Sequence, residues 1–283
     1  ADAESFMSDM GGSAGNIAAA MARLGCAVGL AAPVSDDPVG QFVTRVLKNL
    51  GIEHLTPTPV SGDPRTSLAL AELMREGSQT VIYRNNAADF QLEPGMLAAH
   101  LSRARLVLAT GTALAKPPSR EAALTALEAA PMAVLDLDYR PYSWASVAEA
   151  SEIYAEAAAH ADIVVGNDEE FAILAGASDP REHAACMGKT VLFKECALGC
   201  TAFVPWGPPL FLPAFKVTAL KPFGAGDAFL GGKLAALLAG RPLKDARVDG
   251  AAGAALVVTR PGCASAMPTP DEITAFLSEH EAR

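Results

Sequence analysis

The chain has 283 residues, a formal net charge of −10 and 51% hydrophobic residues. This length and apolar content suit one doubly wound α/β domain with a small appendage. The negative charge, with no cluster of Lys or Arg, argues against binding to nucleic acid. No apolar run approaches the roughly 20 residues that span a bilayer. The acidic first residues lack the features of a signal peptide, and the five cysteines are odd in number without metal-ligand spacing. We therefore expect a cytoplasmic protein with reduced thiols and no membrane partner.

Short apolar runs alternate with Ala/Leu-rich amphipathic runs along the chain. The predicted strands cover 27–33, 105–110, 132–138, 162–167, 190–194, 200–204 and 210–217. The predicted helices cover 14–24, 39–49, 119–130, 147–159, 168–175, 226–239, 245–258 and 270–281. Several strands, such as AVLDLD, DIVVGN and TVLFK, are almost continuously apolar. Such strands are typical of a parallel sheet that helices cover on both faces, and ligands of these sheets bind at the carboxyl ends of the strands.

Residues 56–89 show a different pattern. Three prolines precede two strand-like runs, 66–75 and 79–85, which Glu76-Gly77-Ser78 join. This spacing predicts an antiparallel hairpin, and a flap of this kind inserted in an α/β core is a candidate lid.

Gly224-Ala225-Gly226 opens a strongly helical run and indicates an anion site. Small residues let a ligand approach the backbone, and the first amides of a helix have no partners within it. Asp227 follows in the first turn, where the helix dipole favours the ionised carboxylate. A carboxylate beside a phosphate cradle can accept the proton of an attacking hydroxyl. The same residues also suit an ordinary glycine turn with Asp227 as a capping residue.

A second glycine-rich segment, Met10 to Gly25, also precedes a helix. Gly11 and Gly12 allow close backbone approach, and Asn16 can both donate to and accept from a hydroxyl-rich ligand. A simple N-cap by Ser13 or Asn16 is the alternative. Residues 11–15 also match the G-x-S-x-G motif of a serine hydrolase with Ser13 as nucleophile. That motif needs a preceding strand, and residues 4–9 make a poor one.

Two further segments contain residues typical of nucleotide chemistry. Asn167 and Glu170 leave the carboxyl end of a predicted strand three residues apart, which suits hydrated Mg²⁺ but also an ordinary helix cap. Gly188-Lys189-Thr190 looks like the end of a Walker A motif, but His183 stands where the first glycine belongs, so that motif is rejected.

The two glycine segments, GGSAGN and then GAGDAF, resemble the signatures of the ribokinase-like, or phosphofructokinase-B type, carbohydrate kinases, and the likeness covers nearly the whole chain. It implies a three-layer α/β/α fold with a mostly parallel sheet, and one kinase domain over residues 1–283. The family's small β lid would comprise about 1–12 and 56–90. The resemblance also implies ATP and Mg²⁺ as cofactors and a small sugar as substrate, and it allows a homodimer through the lid.

The resemblance further assigns roles to single residues. Asp227 would be the general base, and the amides of Gly224, Ala225 and Gly226 would stabilise the transferring phosphoryl group. The remaining assignments are Gly12 and Asn16 to sugar hydroxyls, Asn167 and Glu170 to Mg²⁺ through water, and Lys194 and Gly199 to the nucleotide.

Segments 83–89 and 138–144 are similar to those of sugar-acid kinases within this family. They imply phosphorylation of 5-dehydro-2-deoxy-D-gluconate at its 6-hydroxyl, a step of myo-inositol breakdown, with 2-keto-3-deoxygluconate as the competing substrate. Arg84 and Arg140 would bind the substrate carboxylate, because guanidinium pairs with carboxylate in a bidentate way. A surface ion pair is the alternative for each arginine.

The chain departs from the family pattern in two places. The family often has Asp-Thr before its G-A-G-D as part of a monovalent-cation site, whereas Lys221-Pro222-Phe223 stands here. We expect the Lys221 ammonium to replace K⁺, which makes a potassium requirement doubtful; a solvent-facing Lys221 is the alternative. The family's first strand, with its acidic sugar contact, has no counterpart in this sequence. A non-catalytic protein that binds sugar or nucleotide therefore remains a further hypothesis.

Overall fold

The computed structural model describes residues 5–72, 79–241 and 246–281. The chain divides into two compact units. Unit 1 takes its described residues from Ala1–Leu30, Val34–Ala87 and Ala214–Arg283, and unit 2 comprises Ala31–Pro33 and Ala88–Pro213. Within the described ranges, no helix is long and apolar enough to cross a membrane.

Ten strands and ten α-helices make up the regular structure of the described residues. The strands are β1 (Gly29–Leu30), β2 (Glu53–His54), β3 (Leu68–Glu72), β4 (Gln79–Tyr83), β5 (Val107–Thr110), β6 (Ala133–Asp136), β7 (Ile163–Asn167), β8 (Thr190–Lys194), β9 (Gly199–Phe203) and β10 (Leu210–Pro213). The helices are α1 (Ser13–Arg23), α2 (Pro38–Asn49), α3 (Ala98–Leu101), α4 (Ser119–Ala129), α5 (Val147–His160), α6 (Asp168–Ala175), α7 (Pro180–Cys186), α8 (Ala225–Leu238), α9 (Ala246–Val258) and α10 (Pro270–Glu281).

The eight helices predicted from the sequence are confirmed to within about two residues at each end. Five of the seven predicted strands are shorter in the structure, and two of them differ by four or more residues. The run 27–33 forms only β1, because its partner β2 offers just two residues for pairing. The run 210–217 ends at Pro213, on an edge strand that pairs only with β9. The short helices α3 and α7 were not predicted, because one or two turns carry little periodicity, although Asp179 and Pro180 are a start signal for α7.

Unit 2 contains the main sheet, in the order β10-β9-β8-β7-β6-β5. The strands β5 to β8 run parallel, and β9 and β10 are antiparallel additions. The prediction of an α/β fold with a mostly parallel sheet is therefore confirmed. All four residues of β6 are buried, as expected for a strand that is covered on both faces. Phe171 of α6 stacks on Phe193 of β8 with ring centroids 5.3 Å apart, which fixes this helix against the sheet.

Unit 1 is built on a helical core and carries the flap. Buried residues of α1, α2, α8 and α9 pack together, among them Ala19, Leu47, Ala228 and Val257. In the flap, β3 and β4 pair antiparallel from Leu68↔Tyr83 to Glu72↔Gln79, as the hairpin prediction requires. The predicted turn at 76–78 lies outside the described residues.

The helices α1 and α8 approach each other closely at a glycine. A Cβ added at Gly231 of α8 would lie 2.5 Å from the Cβ of Ala20 and 3.3 Å from the carbonyl oxygen of Ile17. Only a residue without a side chain permits this distance between two helices. Asp227 lies one turn before Gly231, and Asn16 lies one turn before Ala20, so the close approach brings their side chains together.

Candidate active site

The Asp227 carboxylate is held by two side chains of α1. Asn16 Nδ2 donates to Asp227 Oδ2 at 2.7 Å, and Ser13 Oγ donates to Asp227 Oδ1 at 3.1 Å. Asp227 is in the first turn of α8, where the helix dipole also favours a negative charge. Two donors and the dipole all stabilise the ionised form, which is the form that accepts a proton.

The turn before Asp227 exposes the first amides of α8. Gly224 is the residue preceding the helix and has φ 84°, a left-handed conformation that glycine adopts readily. No side chain of the described residues caps this helix start. The amides of Ala225 and Gly226 lie in the first turn, which is the arrangement that binds anions at a helix N-terminus.

The other predicted contacts for a sugar lie beside the same carboxylate. An added Cβ at Gly11 or at Gly12 would meet no atom within 4 Å, so there is open space next to this backbone. Asn16 is only 5% exposed, and its Oδ1 is buried without a hydrogen-bond partner among the described residues. A buried acceptor of this kind costs free energy unless a donor reaches it. A ligand hydroxyl is one group that can supply the donor.

In unit 2, polar residues end the parallel strands. Asp136 is the last residue of β6, Asn167 of β7 and Lys194 of β8. The register pairs Asn167 with Lys194, and the carboxyl ends of parallel strands share one edge of the sheet. Lys194 Nζ lies 3.2 Å from Asp136 Oδ1 and 3.4 Å from Glu170 Oε2. Burial alone would lower the pKa of Lys194, but Asp136 and Glu170 together raise it above its ordinary value. The lysine is therefore a permanent cation at this edge.

Asn167 and Glu170 come together as a capping box at the start of α6. Asn167 Oδ1 accepts from the Glu170 amide at 2.9 Å, and Glu170 Oε2 accepts from the Asn167 amide at 2.8 Å. No group of three or more His, Cys, Asp or Glu that could hold a metal ion occurs in the part of the chain that the structure describes. Mg²⁺ on a nucleotide keeps several waters and needs only one or two carboxylates. Glu170 and the adjacent Asp136 fit that requirement.

Gly199 has φ 130° and begins β9 directly after the short turn from Lys194. Its carbonyl accepts from the amide of Glu195 at 2.8 Å. The glycine thus permits a tight connection between two strands of the sheet, a few residues from the lysine cluster.

The two arginines predicted to bind substrate lie in different units. Arg84 follows β4 in unit 1 and is partly exposed. Arg140 belongs to unit 2, with a side chain that is 45% exposed and an Nη2 only 2.6 Å from Asp138 Oδ1. Asp138 is buried at the end of the AVLDLD segment with φ 32°, a strained conformation for a residue other than glycine. Tyr154 donates to the carbonyl of Leu137 at 2.6 Å and helps to fix this turn.

Lys221 does not point to solvent. It is 3% exposed, and its Nζ donates to the Phe223 carbonyl at 2.7 Å. The predicted alternative of a solvent-facing lysine is therefore wrong. Its ammonium lies against a carbonyl of the loop before Gly224.

Two other sequence motifs have structural roles. Residues 5–12 form no strand, and the Ser13 hydroxyl is hydrogen-bonded to Asp227, so Ser13 is not in a strand–turn–helix nucleophile elbow. Lys189 Nζ donates to the carbonyls of Ala158, Ala159 and Ala161 at 2.6 to 2.7 Å. It therefore caps the C-terminal end of α5, which agrees with rejection of the Walker A motif.

The contacts of three residues, Ser13, Asp136 and Asp9, could not be predicted from the sequence. The sequence suggests Ser13 as a cap or nucleophile, but no local pattern indicates its contact with Asp227, which is 214 residues away. Asp136 was seen only as part of a strand, although an acidic residue at the carboxyl end of a parallel strand is a recognisable signal. Asp9 holds the backbone of residues 263–265, and no local pattern indicates such a contact.

Comparison with known proteins identifies the family to which this chain belongs. Residues 2–270 match the profile described as pfkB family carbohydrate kinase. A 5-dehydro-2-deoxygluconokinase of Photobacterium profundum is 37% identical over 99% of this chain and 89% of its own length. The enzyme of that name from Geobacillus kaustophilus is 36% identical over 97% of this chain and 86% of its own length.

Solved structures agree with the sequence comparison. A fructokinase of Xylella fastidiosa with bound ATP superposes with a TM-score of 0.85 at 26% identity, covering 98% of this chain and 93% of that one. The aminoimidazole riboside kinase of Salmonella enterica superposes with a TM-score of 0.81 at 26% identity, covering 97% and 94%. The chain therefore belongs to the pfkB family of carbohydrate kinases, and it is an ATP-dependent carbohydrate kinase with the ribokinase-like fold.

Proposed function

We propose that the chain transfers the γ-phosphoryl group of ATP to the 6-hydroxyl of 5-dehydro-2-deoxy-D-gluconate, in myo-inositol breakdown. The observation that carries the reaction is the Asp227 carboxylate, held by Ser13 and Asn16 at the start of α8. The substrate assignment is supported by relatives that bear the name 5-dehydro-2-deoxygluconokinase and match nearly the full chain at up to 37% identity. In this proposal residues 1–283 act as one cytoplasmic kinase domain.

Asp227 acts as the general base. The hydrogen bonds from Ser13 and Asn16 hold the carboxylate in place, and each carboxylate oxygen has more than one lone pair. The substrate hydroxyl donates to this carboxylate, and its proton passes to Asp227 as the oxygen attacks phosphorus. Asn16 Oδ1 and the open backbone at Gly12 bind neighbouring sugar hydroxyls. One asparagine would thus position both the base and the sugar.

The start of α8 stabilises the phosphoryl group in transfer. Negative charge is spread over the equatorial oxygens of the phosphoryl group in the transition state. The amides of Gly224, Ala225 and Gly226 and the positive end of the α8 dipole oppose that charge. These donors are backbone groups of a helix, so they need little reorganisation during the reaction.

The cluster around Lys194 is assigned to the nucleotide and its metal. When bound, Mg²⁺ would neutralise charge on the phosphates of ATP. Asn167 and Glu170 would organise that ion through water, and Asp136 offers a further carboxylate at the same edge. Lys194 would pair with phosphate oxygens, and the backbone at Gly199 would lie along the nucleotide. The capping box supports this proposal, because it holds Glu170 in a single orientation.

Arg84 and Arg140 are assigned to the carboxylate of the sugar acid. The ion pair of Arg140 with Asp138 presets the guanidinium at a turn that Tyr154 fixes. The planar guanidinium offers five donors, so Arg140 can bind a carboxylate while it keeps Asp138. The competing substrate, 2-keto-3-deoxygluconate, carries a carboxylate as well, so the arginines favour sugar acids without separating these two.

The flap is assigned to lid and dimer contacts. Cross-strand partners in β3 and β4 place Leu68, Leu70, Val81 and Tyr83 on one face, and each is between 38% and 55% exposed. An apolar face of this kind is favourable to cover. We assign it to the flap of a second copy, because identical faces are self-complementary around a two-fold axis.

The function is tested by ADP release with a panel of sugars and sugar acids. We expect the highest kcat/KM for 5-dehydro-2-deoxy-D-gluconate, with 2-keto-3-deoxygluconate and fructose as the informative comparisons. A higher kcat/KM for another sugar would overturn the substrate assignment and leave the kinase activity standing.

The role of Asp227 is tested by Asp227→Asn. This variant keeps the size of the side chain and a group that can still accept from Asn16, but it removes the base. We expect turnover to fall by about 10²-fold or more, with nucleotide binding and Tm nearly unchanged. Asp271→Asn is the matched control, because Asp271 is exposed in the first turn of another helix of unit 1. Near-normal turnover of Asp227→Asn would rule out the base.

A further inference from the structure

Lys221 is a buried lysine at the entrance to the anion-binding loop. Its side chain is 3% exposed, and its ammonium donates to the carbonyl of Phe223, the residue before Gly224. The amides of Leu220 and Lys221 both donate to the carbonyl of Val258, which ties this stretch to the end of α9. The Lys221 side chain therefore folds back onto its own loop and contacts the segment that leads directly into α8.

The surroundings of the ammonium come from several segments of unit 1. The charged or titratable groups that act on it are Cys263, Asp9 and Asp227. Burial lowers the pKa of Lys221 from its ordinary value, and these three groups oppose that effect. Burial likewise raises the pKa of the Cys263 thiol, although Lys221 opposes the change. The raised pKa keeps the Cys263 thiol neutral at neutral pH.

Asp9 fixes the loop at residues 262–265, which carries Cys263, one of the groups that act on the Lys221 ammonium. Its Oδ2 accepts from the Cys263 amide at 2.5 Å and from Ser265 Oγ at 2.8 Å, and its Oδ1 accepts from the Met10 amide at 2.8 Å. Gly262, with φ 82°, permits the turn that brings Cys263 to this position. A buried ammonium costs free energy unless it has partners of this kind.

We propose that Lys221 is a positioning residue whose ammonium acts as a built-in monovalent cation, holding the Phe223 carbonyl so that the amides of Gly224–Gly226 stay directed at the phosphoryl group. The inference rests on the proposed function and specifies how its anion site is organised. An ammonium and a potassium ion are both cations that backbone carbonyls coordinate. A protein that carries the cation on a side chain needs no added K⁺.

The first test uses the wild-type protein alone. Turnover is measured in tetramethylammonium chloride while KCl replaces it up to about 100 mM at constant ionic strength, so that screening does not change. We expect turnover to change by less than about 1.5-fold, because the Lys221 ammonium already occupies the position beside the Phe223 carbonyl. A rise of several-fold on adding KCl would overturn the proposal without affecting the kinase assignment.

The second test removes the ammonium. Lys221→Ala is expected to lower kcat by about 10-fold or more through misplacement of the loop. KCl or methylammonium chloride should then restore a large part of the loss, because either cation can enter the vacated space. Lys216→Ala is the matched control, since Lys216 is exposed and only five residues away. A Lys221→Ala protein with full turnover, or with no response to either cation, would overturn the proposal.

A readout without substrate separates this inference from the proposed function. We expect KCl to raise the Tm of Lys221→Ala relative to tetramethylammonium chloride, and to leave the wild-type Tm unchanged. Binding of a fluorescent ADP analogue, measured with and without KCl, should show the same contrast. If no sugar acid is phosphorylated, the proposed function fails while these two measurements still decide the role of Lys221. If Lys221→Ala does not fold, a wild-type Tm that rises with KCl overturns the inference, and an unchanged one supports it.

Discussion

Gly231 offers a way to move the Asp227 carboxylate, the proposed general base, without changing Asp227 itself. A methyl group at this position would lie 2.5 Å from the Cβ of Ala20, whereas carbon atoms in contact prefer about 3.5–4.0 Å. The helices α1 and α8 would therefore separate by about 1 Å or more in Gly231→Ala. The hydrogen bond from Asn16 to Asp227 is 2.7 Å long, so a shift of this size would stretch it beyond useful length.

The expected effects on stability and on turnover differ in size. Overpacking costs about 1–3 kcal/mol, and the better helix propensity of alanine returns up to about 1 kcal/mol. The free energy of unfolding should therefore fall by about 1–2 kcal/mol, which lowers Tm by a few degrees in a chain of this size. Turnover should fall by about 10-fold to 100-fold, because catalysis depends on placement to within about 1 Å.

Thermal unfolding and ADP release with the same protein preparation measure both effects. Gly253→Ala is the matched control, since Gly253 is also a buried helical glycine of unit 1 and its added Cβ would meet Ala228 O at an ordinary 3.5 Å. That variant should keep both Tm and turnover. A Gly231→Ala protein with wild-type turnover would refute the claim that close packing of α1 on α8 aligns the base.

Two further predictions concern the flap and the start of α2. Val81→Lys should convert a dimer to a monomer in light scattering, whereas Thr80→Lys on the opposite face should not; a monomeric wild type would contradict the dimer proposal. Asp37 caps α2 through the amides of Val39 and Gly40, and Asp37→Ala should cost about 1 kcal/mol at neutral pH. The hydrogen bond from the Gly40 amide is the chief cause that lowers the pKa of Asp37. The contribution of Asp37 to stability is therefore present at neutral pH and is lost as pH falls through the lowered pKa. Urea unfolding measures the difference in free energy of unfolding between wild type and Asp37→Ala. This difference should shrink below about pH 4, and a difference that stays constant would contradict this reasoning.

The elements and the open start of α8 could be predicted because their signals are local. The apolar run TVLFK predicted β8 at its observed bounds, and the glycines before Asp227 predicted an open helix start. Hydrophobic periodicity and turn chemistry act over a few residues, so they can be interpreted without knowing the rest of the chain. The capping box of Asn167 and Glu170 is another local feature, and it was among the alternatives that the sequence raised.

The partners of the key side chains could not be predicted in the same way. Ser13 and Asn16 reach Asp227 across more than 200 positions of sequence, and Asp9 reaches Ser265 across 256. Lys194 meets Asp136 because parallel pairing sets the register of β6, β7 and β8. The sequence suggested a special role for Lys221, but only its burial excluded a lysine that faces solvent.

From the sequence alone came the α/β class, the order of eight helices and of the main-sheet strands, and the two glycine segments that carry the family likeness. Only the tertiary structure showed that one carboxylate has two donors from another helix, that a lysine is shared by two acids, and that Lys221 binds the loop before α8. The physical reason is that backbone conformation responds to neighbours in sequence, whereas these contacts depend on close packing and strand register between distant segments.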